Sequence, residues 1–189
     1  MNFANIKYCD IANGIGVRTS LFVSGCRRHC PFCFNPEAWS AEAGKPFDAI
    51  AQQQILASLK PDYIDGLTLL GGEPFEPENQ RALLPFVKEV RTSYPTKSIW
   101  AFSGFTWEEL TGAEGPHPPY TDSPYIEVTD ELLSLLDVVV DGPFIAAQKD
   151  ISLRFHGSAN QRLIDVHATL ETGEVTEWHD DPIFATHSM

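Results

Sequence analysis

The 189-residue chain carries a formal charge of −13, with 43% hydrophobic and 21% charged residues, the balance of a single soluble globular domain. So acidic a chain lacks the basic face that general nucleic-acid binding requires, and it has no apolar run of membrane-spanning length. Met1–Lys7 holds no signal-peptide core, so a cytoplasmic location is expected, where cysteines stay reduced and serve metals more often than disulfides.

Tyr8–Gly16 reads as a loop whose two glycines are free to take positive φ. Thr19–Val23, rich in β-branched and aromatic residues, reads as the first strand and delivers the chain into Cys26. Phe47–Leu59 has the apolar spacing of a helix. Gly66–Leu70 is a short apolar run, hence a buried strand, and ends in Gly71-Gly72-Glu73-Pro74. Glu78–Ser93 is helical in spacing, with Pro85 expected to kink or break it. Lys97–Phe102 is a third strand stopped by Ser103-Gly104, and Trp107–Leu110 begins another helix.

Thr111–Pro124 contains four prolines and reads as an exposed loop or insertion. Thr129–Leu136 resumes a helix with Thr129 or Asp130 as its cap. Asp137–Val140 is a buried strand stopped by Asp141-Gly142-Pro143, and Arg162–Val166 is a final strand. His167–His179 alternates in the manner of a hairpin around Glu171-Thr172-Gly173-Glu174. Strands alternating with helices predict an α/β fold with a mainly parallel sheet. The units are too few for a closed eight-stranded barrel, so an open, partial (β/α) barrel is expected. It forms one domain over 1–189, with a Pro-rich insertion near 111–124 and a C-terminal extension over 167–189.

Three of the four cysteines, Cys26, Cys30 and Cys33, lie within eight positions. Three thiolates hold three corners of an iron–sulfur cubane, which ordinarily takes four protein ligands, and one iron is then left open. A zinc knot completed by His29 or Cys9 is the competing reading, although zinc knots usually use two separated Cys-x2-Cys hooks and only one is present. Strand C-termini are where α/β sheets bind ligands, and Gly71-Gly72-Glu73 ends a strand at the same face. Paired glycines let a ligand approach the backbone, and the Glu73 carboxylate suits an ammonium group; a plain Gly-Gly turn is the alternative. Phe32 is either loop packing or a stacking face for a flat base. Asn35 either caps or turns the chain. Ser103-Gly104 and Asp141-Gly142 are turns or contacts for a ribose or carboxylate. Arg154 either holds a carboxylate or a partner's backbone, or lies in a solvated loop. Cys9 reads as a packed or surface thiol.

Cys26-x3-Cys30-x2-Cys33, with Phe32 before the last cysteine and Gly71-Gly72-Glu73-Pro74 after a strand, resembles the radical S-adenosylmethionine superfamily. Asp10–Gly14, Phe22–Cys26, Cys33–Asn35, Trp39, Ile99–Phe105 and Val139–Gly142 are similar to one family within it, the activating proteins of anaerobic ribonucleoside-triphosphate reductase. So are Lys149-Asp150, Leu153-Arg154 and Gly157–Gln161, and the likeness runs from Ile6 to Val166.

The resemblance implies a 4Fe–4S cluster on Cys26, Cys30 and Cys33. It implies S-adenosylmethionine on the open iron, its adenine near Phe32, Cys33 and Phe34, its ammonium at Gly71-Gly72-Glu73 and a further contact at Ser103. One electron from a flavodoxin-type donor would cleave the cofactor, and the resulting 5′-deoxyadenosyl radical would make a glycyl radical on the reductase. No catalytic side chain beyond the cluster-bound cofactor is expected, since hydrogen-atom abstraction needs no acid–base pair. The alternatives are a small-molecule enzyme of the 7-carboxy-7-deazaguanine synthase kind, an activase of pyruvate formate-lyase, and a zinc-stabilised interaction module.

Overall fold

The computed structural model describes residues 1–180. In chain order it has β1 (Asn2–Asp10), β2 (Arg18–Val23), a 3-10 turn at Pro36–Trp39, β3 (Lys45–Pro46), α1 (Ala49–Leu59) and β4 (Gly66–Gly71). There follow α2 (Pro77–Ser93), β5 (Ser98–Phe102), α3 (Trp107–Leu110), α4 (Thr129–Ser134), β6 (Val138–Asp141), β7 (Arg162–Asp165) and α5 (Val166–Thr172). The strands form one seven-stranded sheet in the order β3-β1-β2-β4-β5-β6-β7. The four strands β2, β4, β5 and β6 are parallel. The flanks are antiparallel, β3 and β1 on one side and β7 on the other. The fold is therefore α/β with the parallel part confined to the middle.

Side chains alternate across a strand, and the sheet uses both faces. Leu21, Val23, Leu67, Leu69, Ile99, Ala101 and Val139 join the main core beneath the helices, with Ile55, Leu59, Leu83, Val87 and Leu132. Trp100, Val138 and Val140 face the other way, against Ile15, Phe102, Phe155, Leu163 and Trp178. Trp100 anchors this second cluster, its ring centroid 5.3 Å from Phe155 and 5.0 Å from Trp178.

Arg18 is fully buried at the start of β2, on the face that carries Trp100. Its Nε donates to Thr68 Oγ1 at 2.7 Å, Nη1 to Ile15 O and Ser98 Oγ, and Nη2 to Leu67 O and Ser98 O. The guanidinium also lies 5.4 Å from the Trp100 ring. Glycines make the room: a Cβ on Gly14, whose φ is +125°, would come within 2.9 Å of Arg18 Cδ, and one on Gly66 within 2.8 Å of Nη2. Burial pushes the Arg18 pKa down to about 10, against the pull of Asp65, Asp137 and Asp10, which leaves it charged at neutral pH.

Asp10 ends β1 and ties down the loop that follows. It is 1% exposed and accepts from Ala12 N at 3.1 Å, Ser20 Oγ at 2.7 Å, Asn13 Nδ2 and Lys7 Nζ. Burial raises its pKa, but the bonds from Lys7, Ser20, Asn13 and Ala12 outweigh that and bring it from 3.8 to about 2. A depressed carboxylate stabilises the fold above its unfolded pKa and loses that contribution as pH falls through the folded value. At about 1.4 kcal/mol per pKa unit the contribution is about 2 kcal/mol. Asp10→Asn is therefore expected to lower stability by that amount at pH 7 in urea unfolding. The difference should shrink below pH 4 and vanish near pH 2; a gap that does not depend on pH would contradict the assignment.

Several expectations are corrected. Tyr8, Cys9 and Asp10 belong to β1 rather than to a loop, and Cys9 is exposed. Pro85 lies inside an unbroken α2, whose buried Leu83, Leu84, Phe86, Val87 and Val90 hold it against the core. Thr129 does not cap α4: Val128 occupies the N-cap position, and buried Thr129 donates to Gln80 Oε1 at 2.7 Å. In place of a hairpin turn over His167–His179, the chain forms α5, capped by the Asp165 side chain on Ala168 N and ended by Gly173 at φ +74°. It then returns along β7 through Asp165 N to Thr176 O and Trp178 N to Leu163 O. The rest of the expected C-terminal extension, residues 181–189, lies outside the described residues. The Pro-rich segment is not exposed throughout, because Tyr120 is 4% exposed.

Candidate functional site

Cys26, Cys30 and Cys33 follow directly from the C-terminal end of β2, beside the end of β4. Two backbone bonds continue the β2–β4 pairing into the loops, Gly72 N to Val23 O at 2.7 Å and Glu73 N to Gly25 O at 2.8 Å. Asn79 of α2 clasps both loops, its Nδ2 donating to Ser24 O at 3.0 Å and Glu73 O at 2.8 Å. The cysteine loop hangs on the 3-10 turn through Gly25 N to Ala38 O and Cys26 N to Trp39 O. Within it, Gly25, His29 and Phe32 take φ of +95°, +49° and +61°. The two non-glycine residues pay for that geometry with local strain, and the loop turns back on itself as a result. Cys33 N bonds Cys30 O, and Asn35 N approaches Cys33 Sγ at 3.4 Å, so Asn35 turns the chain after the cysteines without a side-chain cap.

Cys26, Cys30 and Cys33 open onto one cavity of about 450 Å³, within the size range of small-molecule sites. Phe32, Phe34, Gly71, Gly72, Glu73 and Ser103 line the same space, whereas the candidates Asp141 and Arg154 do not. Phe32 and Phe34 are 88% and 78% exposed and line the cavity. The glycines are close-approach positions: a Cβ on Gly72 would meet Gly25 O at 2.5 Å, and one on Gly71 would meet Phe22 Cα at 2.6 Å.

Glu73 is 2% exposed. Its Oε1 accepts from Phe75 N at 2.9 Å and Ser103 Oγ at 3.0 Å, and its Oε2 from Gly104 N at 2.8 Å. Burial pushes it up to about 7 despite the Phe75 and Gly104 amides and the nearby Arg28 charge. Ser103 thus orients Glu73 as well as facing the cavity. Burial, with the Glu73 charge, pushes the Cys26 thiol up to about 11, and burial raises Cys30. Binding of iron by these thiols would release protons.

The thiol set fits an iron–sulfur cluster in chemistry, and all three cysteines line one cavity. Among the described residues no three His, Cys, Asp or Glu groups close on a single ion. A cubane asks something different, three thiolates bound to three separate irons around a shared space.

Other parts of the chain enter the site that were not named as candidate site residues, although Asn13, Gly157 and Gln161 lie in segments that carry the family likeness. Arg28 lines the cavity near Glu73, and Ala12 and Asn13 reach it from the loop after β1. The segment after β6 folds back to supply Phe144, Phe155, His156, Gly157 and Gln161. Gln161 knits that segment together, accepting from Gly157 N at 2.9 Å and donating to Gly142 O at 3.1 Å. Asp141 is turned away, accepting from Trp107 N and from Arg162. Arg154 lies in a neighbouring groove beside Trp178, over the Phe155 ring and in contact with Asp180.

The comparisons point the same way. A protein-family model described as a 4Fe-4S single cluster domain matches residues 12–164. The anaerobic ribonucleoside-triphosphate reductase-activating protein of Haemophilus influenzae is 41% identical over 163 residues, 85% of this chain and 96% of that protein. Its namesake in Escherichia coli K12 is 37% identical over the same shares of the two chains. The protein of that name in Enterobacteria phage T4 is 33% identical over 165 residues, 86% of this chain and 93% of its own. Likeness of this extent, spanning the cysteine loop and the strands that carry it, means that the chain belongs to the family of anaerobic ribonucleoside-triphosphate reductase-activating proteins.

Proposed function

We propose that the chain activates an anaerobic ribonucleoside-triphosphate reductase by generating a glycyl radical on it, using a 4Fe–4S cluster and S-adenosylmethionine. The observation that carries this reading is the single cavity shared by the three cysteines and the Gly71-Gly72-Glu73 loop, in a chain of this family. When bound, the two groups supply one-electron cleavage of the sulfonium carbon–sulfur bond and the hydrogen-atom abstraction that follows from it.

The chain's own part is to hold and to exclude. Cys26, Cys30 and Cys33 are the ligands that hold the cluster. Glu73 sets a carboxyl group at the wall where the cofactor ammonium belongs, held in one orientation by Phe75, Ser103 and Gly104. An ammonium bound there would favour its ionised form. Gly71 and Gly72 let the loop after β4 pack closely on the end of β2, which sets Glu73 at the cavity wall, and Phe32 and Phe34 stand where the cofactor adenine would stack. No nucleophile–base pair is required, because the hard chemistry is carried by the cofactors. An open, partial barrel suits a substrate that is a loop of another protein. A flavodoxin-type electron donor and a cytoplasmic setting belong to the same reading. Among the described residues no helix is long and apolar enough to cross a membrane.

Anaerobically reconstituted protein, incubated with dithionite, S-adenosylmethionine and the reductase, is expected to give the paramagnetic resonance doublet of a glycyl radical. Release of 5′-deoxyadenosine without that doublet would remove the partner and keep the chemistry. Colourless protein holding one zinc would overturn both.

A further inference from the structure

Arg28 is unusual among the cavity residues. Its Nε and Nη2 are buried and have no hydrogen-bond partner, although a buried donor left unmade costs free energy. These two nitrogens share one edge of the guanidinium, the edge that grips a carboxylate with two parallel bonds. Glu73 is close by, yet its carboxylate is already committed to Phe75, Ser103 and Gly104. Gly104 makes the approach possible: a Cβ there would stand 2.6 Å from Arg28 Nε and 3.5 Å from Glu73 Oε2.

The guanidinium is also held from behind. Its central carbon lies 5.3 Å from the Phe105 ring and 4.9 Å from the Tyr120 ring. Tyr120 belongs to the Pro-rich segment and packs on Phe105 with ring centroids 4.3 Å apart. Arg27 lies over the same tyrosine at 5.0 Å and pairs with Glu76 and Asp122. The segment thus fastens the cysteine loop to the sheet and sets the direction of Arg28.

A fixed cation with a free two-donor edge, beside a fixed carboxylate, complements a group that carries both charges. An α-amino acid head is such a group. We propose that Arg28 binds the carboxylate of the methionine half of S-adenosylmethionine through Nε and Nη2, and that the Pro-rich segment positions it through Tyr120. The inference rests on the cofactor reading given above and assigns the specificity for the amino-acid end.

Equilibrium dialysis of the cluster-loaded protein tests it, with S-adenosylmethionine and its decarboxylated analogue as paired probes. Arg28→Met is expected to weaken S-adenosylmethionine roughly tenfold to a hundredfold and to leave the analogue's affinity unchanged. Equal losses for both probes, or none for either, would overturn the proposal. A shift in cluster reduction potential with both affinities intact would mean that the guanidinium serves the cluster instead. Wild-type protein that loads iron but binds neither probe would count against the cofactor reading itself. Should Arg28→Met not take up iron, the same comparison is made with Arg28→Lys, which keeps the charge and loses the fork. Selective weakening of S-adenosylmethionine is again the supporting result. Tyr120→Leu is expected to show the same selectivity at smaller size.

Discussion

Cys30→Ala is expected to fold normally, to lose the four-iron cluster and to release no 5′-deoxyadenosine. The residue sits in a loop outside both apolar clusters, so its removal should change stability by no more than about 0.5 kcal/mol. Its thiol faces the cavity with those of Cys26 and Cys33, and with two thiolates left a cubane has two open irons instead of one. Cys9→Ala is the matched control. Cys9 is exposed on β1 and does not line the cavity, so the iron content should stay at about four per chain. Iron measurement and product release, read side by side on the two variants, decide the matter. Cofactor cleavage retained in Cys30→Ala, or iron lost in Cys9→Ala, would break the assignment of ligands.

The second large effect concerns stability. Arg18→Met is expected to destabilise the fold by roughly 3 kcal/mol, about 6–12 °C in Tm for a domain of this size. The buried guanidinium serves oxygens of Ile15, Leu67, Thr68 and Ser98 together. It thereby joins the starts of β2, β4 and β5 and the glycine loop. Methionine matches the length of the stem but leaves those acceptors without their donor. Arg18→Lys should fall between the two, since an ammonium keeps the charge but cannot fan out to the same set. A change in Tm of less than 2 °C in Arg18→Met would show that the network contributes little.

The chain order of strands and helices was legible because the relevant patterns are local. β4, β5 and β6 are short apolar runs bounded by glycine or proline, and α1 and α2 repeat apolar residues at helical spacing. The three-cysteine loop at the end of β2 and the Gly71-Gly72-Glu73 turn at the end of β4 were legible for the same reason. Once two neighbouring parallel strands are recognised, the loops at their C-terminal ends must share a face. β1 was missed because most of it is partly or fully exposed, with Phe3 and Asp10 its only buried residues, so it carries no period-two apolar signal. α5 was missed because a helix of seven residues is too short for helical spacing to outweigh the alternation around Gly173.

What the sequence by itself determined, then, is a set of candidate site residues that one cavity brings together, and the parallel centre of the sheet. Only the tertiary structure decided how those residues are held. Arg18 reaches Ser98 across 80 positions, and Asn79 reaches Ser24 across 55. Arg28 takes its direction from Tyr120, and Glu73 from Ser103 across 30. None of these pairings leaves a trace in local spacing, because each arises where separate strands and loops converge.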